Sequence, residues 1–145
     1  MTLWPEGGLL LPVALDLPAL SAAQRQLGDF LAEAGCAAEI CFRVELVVEE
    51  LVVNIIRHGA PRGATRAVLS ALCRNGQAIV TVEDDGPEFD PLAASARPVA
   101  GALVGNHDGG FGLHLIRRQS DDAHYARIAS GNRLELFFGP RRTKR

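Results

Sequence analysis

Ala67-Val-Leu-Ser-Ala-Leu-Cys-Arg-Asn-Gly-Gln-Ala-Ile-Val-Thr-Val-Glu-Asp-Asp-Gly86 reads as two apolar strands joined by a tight turn and closed by a pair of acids. Asn75-Gly76 between apolar runs is among the strongest short hairpin signals, because both residues accept positive φ. Strands are expected over Ala67–Cys73 and Ala78–Glu83, and the period of two puts Val80, Val82 and Asp84 on one face. An acid closing an apolar face needs a partner, since burying an unpaired carboxylate is costly. Asp84 either caps the Asp84-Asp85-Gly86 bend, as turn acids do, or accepts a hydrogen bond from a ligand such as a purine amino group.

Upstream, Leu9 to Leu17 reads as a strand stopped by Pro18. Ser21 is the expected N-cap of a helix through about Ala34, with Leu20, Leu27, Phe30 and Leu31 on its apolar side and Gly35 ending it. A second helix is expected from Ala38 to His58, stopped by Gly59-Ala60-Pro61. Downstream, 86–108 has no sustained period and is rich in Gly, Pro, Ala and Ser. An irregular stretch of that length is uncommon in a compact domain unless it is a functional lid or disordered. A helix from Gly110 to Gln119 follows, then strands His124–Ala129 and Arg133–Phe138 turning at Ser130-Gly131-Asn132. Helices with antiparallel hairpins imply an α/β (α+β) two-layer sandwich.

The 145 residues suit one domain over 1–145 without repeat or linker, and chains near this size bury roughly 68–70% of their unfolded surface. An apolar fraction of 48% with mixed charge argues for a folded chain, and a net charge of −2 gives no reason to expect nucleic acid as a direct partner. The three cysteines, Cys36, Cys41 and Cys73, lack C-x-x-C spacing and read as free thiols in a reducing, cytoplasmic setting. The opening Met1-Thr-Leu-Trp-Pro-Glu-Gly-Gly lacks the basic start of a leader, and no stretch has the length of a membrane span. Residues 140–145, Pro140-Arg-Arg-Thr-Lys-Arg145, form a short basic tail expected to be solvated.

Three segments carry chemistry. Glu50-Leu-Val-Val-Asn54 sets a carboxylate and a carboxamide one helical turn apart, and on a helical wheel Glu50, Asn54 and His58 fall within roughly 80° of each other. Periodicity alone allows a solvated polar face, but Asn is a poor residue in mid-helix. An amide oxygen can ligate Mg²⁺, and a carboxylate can polarise an attacking hydroxyl. Asp84-Asp-Gly-Pro-Glu-Phe-Asp-Pro91 is the second segment. The third, Gly109-Gly-Phe-Gly-Leu113, opens an apolar helix, where free N–H groups and the helix dipole favour phosphate. It does not follow a strand in a short βαβ unit, which argues against a dinucleotide fingerprint, and no G-x-x-x-x-G-K-[ST] occurs.

In this order the segments resemble the ATP-binding domain shared by gyrase, Hsp90, histidine kinases and MutL, and most of all the bacterial anti-sigma-factor serine/threonine kinases. The likeness covers about Leu9 to Phe138. It implies a Bergerat-type ATP-binding fold, with helices on one face of a mixed, mostly antiparallel sheet. It also implies ATP and Mg²⁺ as cofactors, with Glu50 catalytic and Asn54 holding Mg²⁺. Asp84 would bind adenine, and His58, Gly86, Phe89, Gly109, Gly110, Phe111, Gly112 and Leu113 would complete the ATP site under a lid over 86–108. The chain departs from the family pattern in two respects: Glu88 stands where many relatives of the wider superfamily place a glycine, and Asn106-His107-Asp108 stands where several family kinases place an arginine before the glycine box.

The implied activity is phosphorylation of a small antagonist protein by a regulator that also holds a sigma-factor-like target, and homodimerisation is implied with it. No membrane partner is implied. Two other readings stay open at this point: a non-catalytic, nucleotide-gated binding module, and a detached histidine-kinase ATPase domain acting on a separate phosphoacceptor.

Overall fold

The structure, a computed structural model, describes residues 7–95 and 110–141. Most of the expected lid, together with Gly109 and the tail beyond Arg141, lies outside the described residues. The chain order is β1 (Leu9–Ala14), α1 (Leu17–Glu33), α2 (Ala38–Asn54), a π-helical turn (Ile55–Gly59), a 3₁₀ turn (Ala60–Arg62), β2 (Arg66–Arg74), β3 (Gln77–Asp84), α3 (Pro91–Ser95), α4 (Gly110–Gln119), β4 (Asp122–Ile128) and β5 (Gly131–Phe138). The five strands form one sheet in the order β1-β2-β3-β5-β4. Every pairing among the described residues is antiparallel, so the mixed character expected of the sheet is not seen there.

The hairpin forms as its turn residues dictate, with Asn75 at φ 51° and Gly76 at φ 77°. Asp84 lies opposite Ala67 on one side and Asn132 on the other. One face of the sheet, carrying Val13, Leu69, Val80, Val82, Leu134, Leu136 and Phe138, is buried against Leu20, Leu27 and Leu31 of α1, Ile40, Val44, Val47, Val48, Leu51 and Val52 of α2, and Ile116 of α4. The two-layer sandwich with helices on one face is therefore the observed architecture.

Several boundaries move, each for a local reason. β1 ends at Ala14, and α1 starts at Leu17 with Asp16, not Ser21, as its N-cap, the Asp16 carboxylate accepting from the Ala19 N–H at 2.8 Å. Pro18 sits in the first turn of α1, where its missing N–H costs nothing, so it belongs to the helix it was expected to precede. Gly35 does end α1: at φ 99° it turns the chain so that its N–H reaches Ala32 O at 3.1 Å and the Cys36 N–H reaches Leu31 O at 2.9 Å. The stretch expected to be irregular contains α3, whose cap is Asp90, accepting from the Leu92 N–H at 2.9 Å with Pro91 in first position. The last hairpin turns one residue earlier than expected, since Gly131 pairs with Ile128 and Asn132 lies within β5.

Candidate functional site

α2 delivers the first two candidate residues. Glu50 and Asn54 lie one turn apart and both are half-buried at the C-terminal end of this helix. Regular α geometry stops at Asn54, and the Ala60 N–H reaches back five residues to Ile55 O, the bond of a π turn. Such turns are rare and often mark functional sites. The wheel that placed His58 beside Glu50 does not extend past Asn54, and His58 lies in the π turn as an exposed residue. The Asn54 Nδ2 is buried and has no hydrogen-bond partner, while Glu50 has no ion-pair or hydrogen-bond partner among the described residues. Buried amide groups are seldom left unpaired, so this end of the Asn54 side chain is suited to a ligand or a bridging water.

The turn after α2 and the bend after β3 meet at Ala64. A Cβ added at Gly59 would lie 3.3 Å from the Ala64 Cβ, and one added at Gly86 would lie 3.1 Å from the same atom and 3.0 Å from Asp84 Oδ1. His58-Gly59 and Asp84-Asp85-Gly86 are thus both packed closely on Ala64, where a side chain at either glycine would need its neighbours to give by a few tenths of an ångström. Asp85 fastens the junction, accepting from the Thr65 N–H at 2.7 Å, the Arg66 N–H at 3.1 Å and the Thr65 hydroxyl. Desolvation pushes the Asp85 pKa up, but the hydrogen bonds from Thr65 and Arg66 outweigh it and hold the carboxyl below the ordinary aspartate value.

Asp84 has a different partner set. Its Oδ1 accepts from the Gly86 N–H at 2.8 Å and from Asn132 Nδ2 at 3.1 Å, so the described hydrogen bonds of this carboxylate all fall on one oxygen. Oδ1 caps the bend, as the turn reading of Asp84 expects, and Oδ2 has no partner among the described residues. Asn132, buried in β5, is the hub. It also donates to Pro87 O at 2.8 Å, and its Oδ1 accepts from the Phe89 N–H at 3.1 Å, Tyr125 Oη at 2.5 Å and Arg127 at 3.3 Å. Arg127 in turn donates to Gly86 O at 2.7 Å. The Tyr125 phenol is pushed up chiefly by burial, then by the Glu88 carboxylate.

At Gly131, with φ 149°, an added Cβ would fall 1.9 Å from Asp84 O, so no side chain fits at the start of β5. Phe89 is anchored through its N–H, and its ring is 47% exposed. Neither Asn132 nor Ala64 stands out in the sequence as a site residue. Asn132 had one signal: it shares the two-residue phase of Leu134, Leu136 and Phe138, so a poor strand former lies on the buried face.

Gly110–Leu113 forms the first turn of α4, as the third segment predicts; the preceding Gly109 is outside the described residues. The far end of α4 is tied to α2 by Arg43, which is 3% exposed. Its guanidinium donates to Gln119 O at 2.8 Å and to Gly139 O, and pairs with Glu39 at 2.6 Å and Asp121 at 3.7 Å. This clamp fixes the helix that begins at the glycine box against the helix that carries Glu50 and Asn54.

Residues 13–138 match the Histidine kinase-like ATPase domain family. BtrW, a serine/threonine-protein kinase of Bordetella bronchiseptica, is 29% identical over 101 residues, which is 69% of this chain and 71% of that protein. The solved RsbU and RsbW domains of Rv1364c from Mycobacterium tuberculosis share the fold, with a TM-score of 0.62 at 18% identity over 91% of this chain. This chain spans 32% of that solved chain. With the match running from β1 to the end of β5 and taking in all three segments, the chain belongs to the histidine kinase-like ATPase domain family.

Proposed function

We propose that this chain is an ATP-binding regulatory protein kinase of the anti-sigma-factor type, acting as a single domain and transferring phosphate to a serine or threonine of a small antagonist protein. The observation that carries the reading is the end of α2: Glu50 half-buried without a partner among the described residues, one turn from Asn54, whose buried amide nitrogen is unpaired among them. Amide oxygen and nitrogen are assigned rather than observed, so either end of this carboxamide can face a ligand. Such an amide suits a hard cation, and Asn54 would hold Mg²⁺, which when bound neutralises charge on the phosphate oxygens.

Asp84 would accept from the adenine amino group through Oδ2, with Oδ1 kept in place by Asn132 and Gly86. His58, Gly86 and Phe89 would border the nucleotide, and the backbone of Gly109, Gly110, Phe111, Gly112 and Leu113 would cradle phosphates at the start of α4. The stretch 86–108 would serve as the lid. Glu50 would take the proton of the attacking hydroxyl as the bond between the γ-phosphorus and the bridging oxygen breaks, giving a phosphoester and ADP. The same regulator would hold a sigma-factor-like protein as its second partner.

A pull-down with and without ATP, followed by phosphosite mapping on the recovered proteins, tests this. Phosphate on a hydroxyl of a recovered small protein is the expected result. ATP-dependent capture with no transfer to any partner would establish the gated binding module instead. That second reading is favoured by one observation, Asp108 beside the glycine box, where an acid would face the terminal phosphate.

A further inference from the structure

Of the α4 side chains from His114 onward, only Ile116 is fully buried, at 0% exposed, and it enters the core shared with α1, α2 and the sheet. A helix anchored by one side chain can pivot about it, so a second hold decides where its axis points. The side-chain bonds described between α4 and its neighbours all lie beyond Ile116, towards the end where a helix leaves its last carbonyls without partners. The Arg43 guanidinium, brought from α2, donates to Gln119 O at 2.8 Å and to Gly139 O just past β5. Arg141 donates to Arg118 O at 2.8 Å, and Arg117 to Leu92 O of α3 at 3.0 Å. Asp121 joins the first two arginines, pairing with Arg43 at 3.7 Å and with Arg141 at 3.3 Å while accepting from the Gly139 N–H. Beneath them the Phe138 ring centre lies 6.0 Å from the Arg43 guanidinium carbon.

We infer that Arg43, seconded by Arg141, is a positioning residue for phosphate binding: it sets the axis of α4 and so where the glycine box at the other end of that helix points. This rests on the reading that nucleotide phosphates meet the start of α4. The planar fork of an arginine fixes directions as well as distances, here meeting two carbonyls and the Glu39 carboxylate at once, which a lysine ammonium cannot do in the same geometry. Both guanidiniums also lie at the negative end of the α4 dipole. Ile116 gives the clamp leverage. At about 1.5 Å per residue, Gly110 lies roughly 9 Å from Ile116 on one side and Gln119 roughly 4.5 Å on the other, so a sideways shift of the clamped end is about doubled at the glycine box. Hydrogen bonds to phosphate tolerate little of this, since N–H···O separations fall within about 2.7–3.2 Å. The adenine side is spared, because Asp84 is held by Gly86 and by Asn132 of β5, not by α4.

The test is calorimetry on the whole chain with Mg²⁺, comparing adenosine with ADP; the ratio of their dissociation constants reports what the phosphates add. Both ligands meet the same folded fraction, so a loss of stability alone leaves the ratio unchanged. Arg43→Met should lower it about 10-fold while adenosine affinity, corrected for folded fraction, stays native. Arg43→Lys keeps the charge and can pair with Glu39 without spanning both carbonyls. It should lower the ratio by a smaller factor, and it carries the test if Arg43→Met fails to fold. Arg141→Gln, at a half-exposed side chain, should lower the ratio about threefold. Native ratios in folded Arg43→Lys and Arg141→Gln, or adenosine and ADP weakened equally, would overturn the inference and leave the phosphate reading standing. Wild type that binds adenosine as tightly as ADP would overturn both.

Discussion

Asn132→Ala tests whether β5 holds the Asp84 carboxylate in place. Asn132 is 6% exposed and its amide makes bonds to Asp84 Oδ1 at 3.1 Å and Pro87 O at 2.8 Å, while receiving them from Tyr125 at 2.5 Å, the Phe89 N–H at 3.1 Å and Arg127 at 3.3 Å. Neutral hydrogen bonds contribute about 0.5–1.5 kcal/mol net and those to charged groups about 1.5–3 kcal/mol, without simple additivity. Arg127 keeps its shorter bond to Gly86 O, and Tyr125 can turn to water, so the Asp84 and Pro87 bonds dominate the loss. The expected cost is about 2–4 kcal/mol of stability. Urea unfolding should show the midpoint falling at unchanged slope, since the surface exposed on unfolding is the same. Adenine nucleotide affinity should fall as well, because the carboxylate loses a restraint on Oδ1. Asn132→Asp sharpens the test by replacing a donor to Asp84 with a second carboxylate. It should cost more than Asn132→Ala at neutral pH, and the excess should fade on acidification as one of the paired acids takes up a proton. A loss below about 0.5 kcal/mol for the alanine variant, with native nucleotide affinity, would refute the reasoning.

Four further outcomes follow from the same geometry. Asp84→Asn replaces a charge-assisted acceptor by an amide, and ATP and ADP affinity measured by calorimetry should drop about 10–100-fold, the equivalent of roughly 1.5–3 kcal/mol. Glu50→Ala should leave fold and nucleotide affinity nearly intact while slowing radiolabel transfer to the antagonist protein by roughly 10²–10⁴-fold, whereas Asn54→Ala should lose both transfer and the Mg²⁺-dependent part of affinity. The Asp85 pKa is lowered in the fold, so its contribution is fully present above the ordinary aspartate value of 3.8 and is lost as pH falls through the lower folded value. The stability gap between the native chain and Asp85→Asn, read by unfolding at a series of pH values, should therefore be constant near neutrality and narrow only in that acid window. Arg43→Met should cost about 2–4 kcal/mol in urea unfolding, since it strips bonds from the Gln119 and Gly139 carbonyls but leaves two acids, Glu39 and Asp121, that reach solvent.

What was legible in the sequence is what local rules decide. Asn75-Gly76 set the central hairpin, Gly35 set the end of α1, and the Glu50 and Asn54 spacing put both on one face of α2. The errors were local too, at residues with two uses: Pro18 stops a strand or opens a helix, and Asp16, two residues before it, decides for the helix. Asp90-Pro91 opens α3 in the same way, masked by the Gly, Pro, Ala and Ser composition of the stretch around it. No local rule reaches the contacts that join the segments, because these depend on which strands become neighbours. Ala64 matters only because Gly59 and Gly86 both close upon it, and Asn132 only because β5, though last in the chain, pairs with β3 opposite Asp84. Local rules therefore place Glu50 and Asn54 at the end of α2 and Asp84 at the end of β3, while the long-range pairing decides which oxygen of Asp84 is occupied and which has no partner among the described residues.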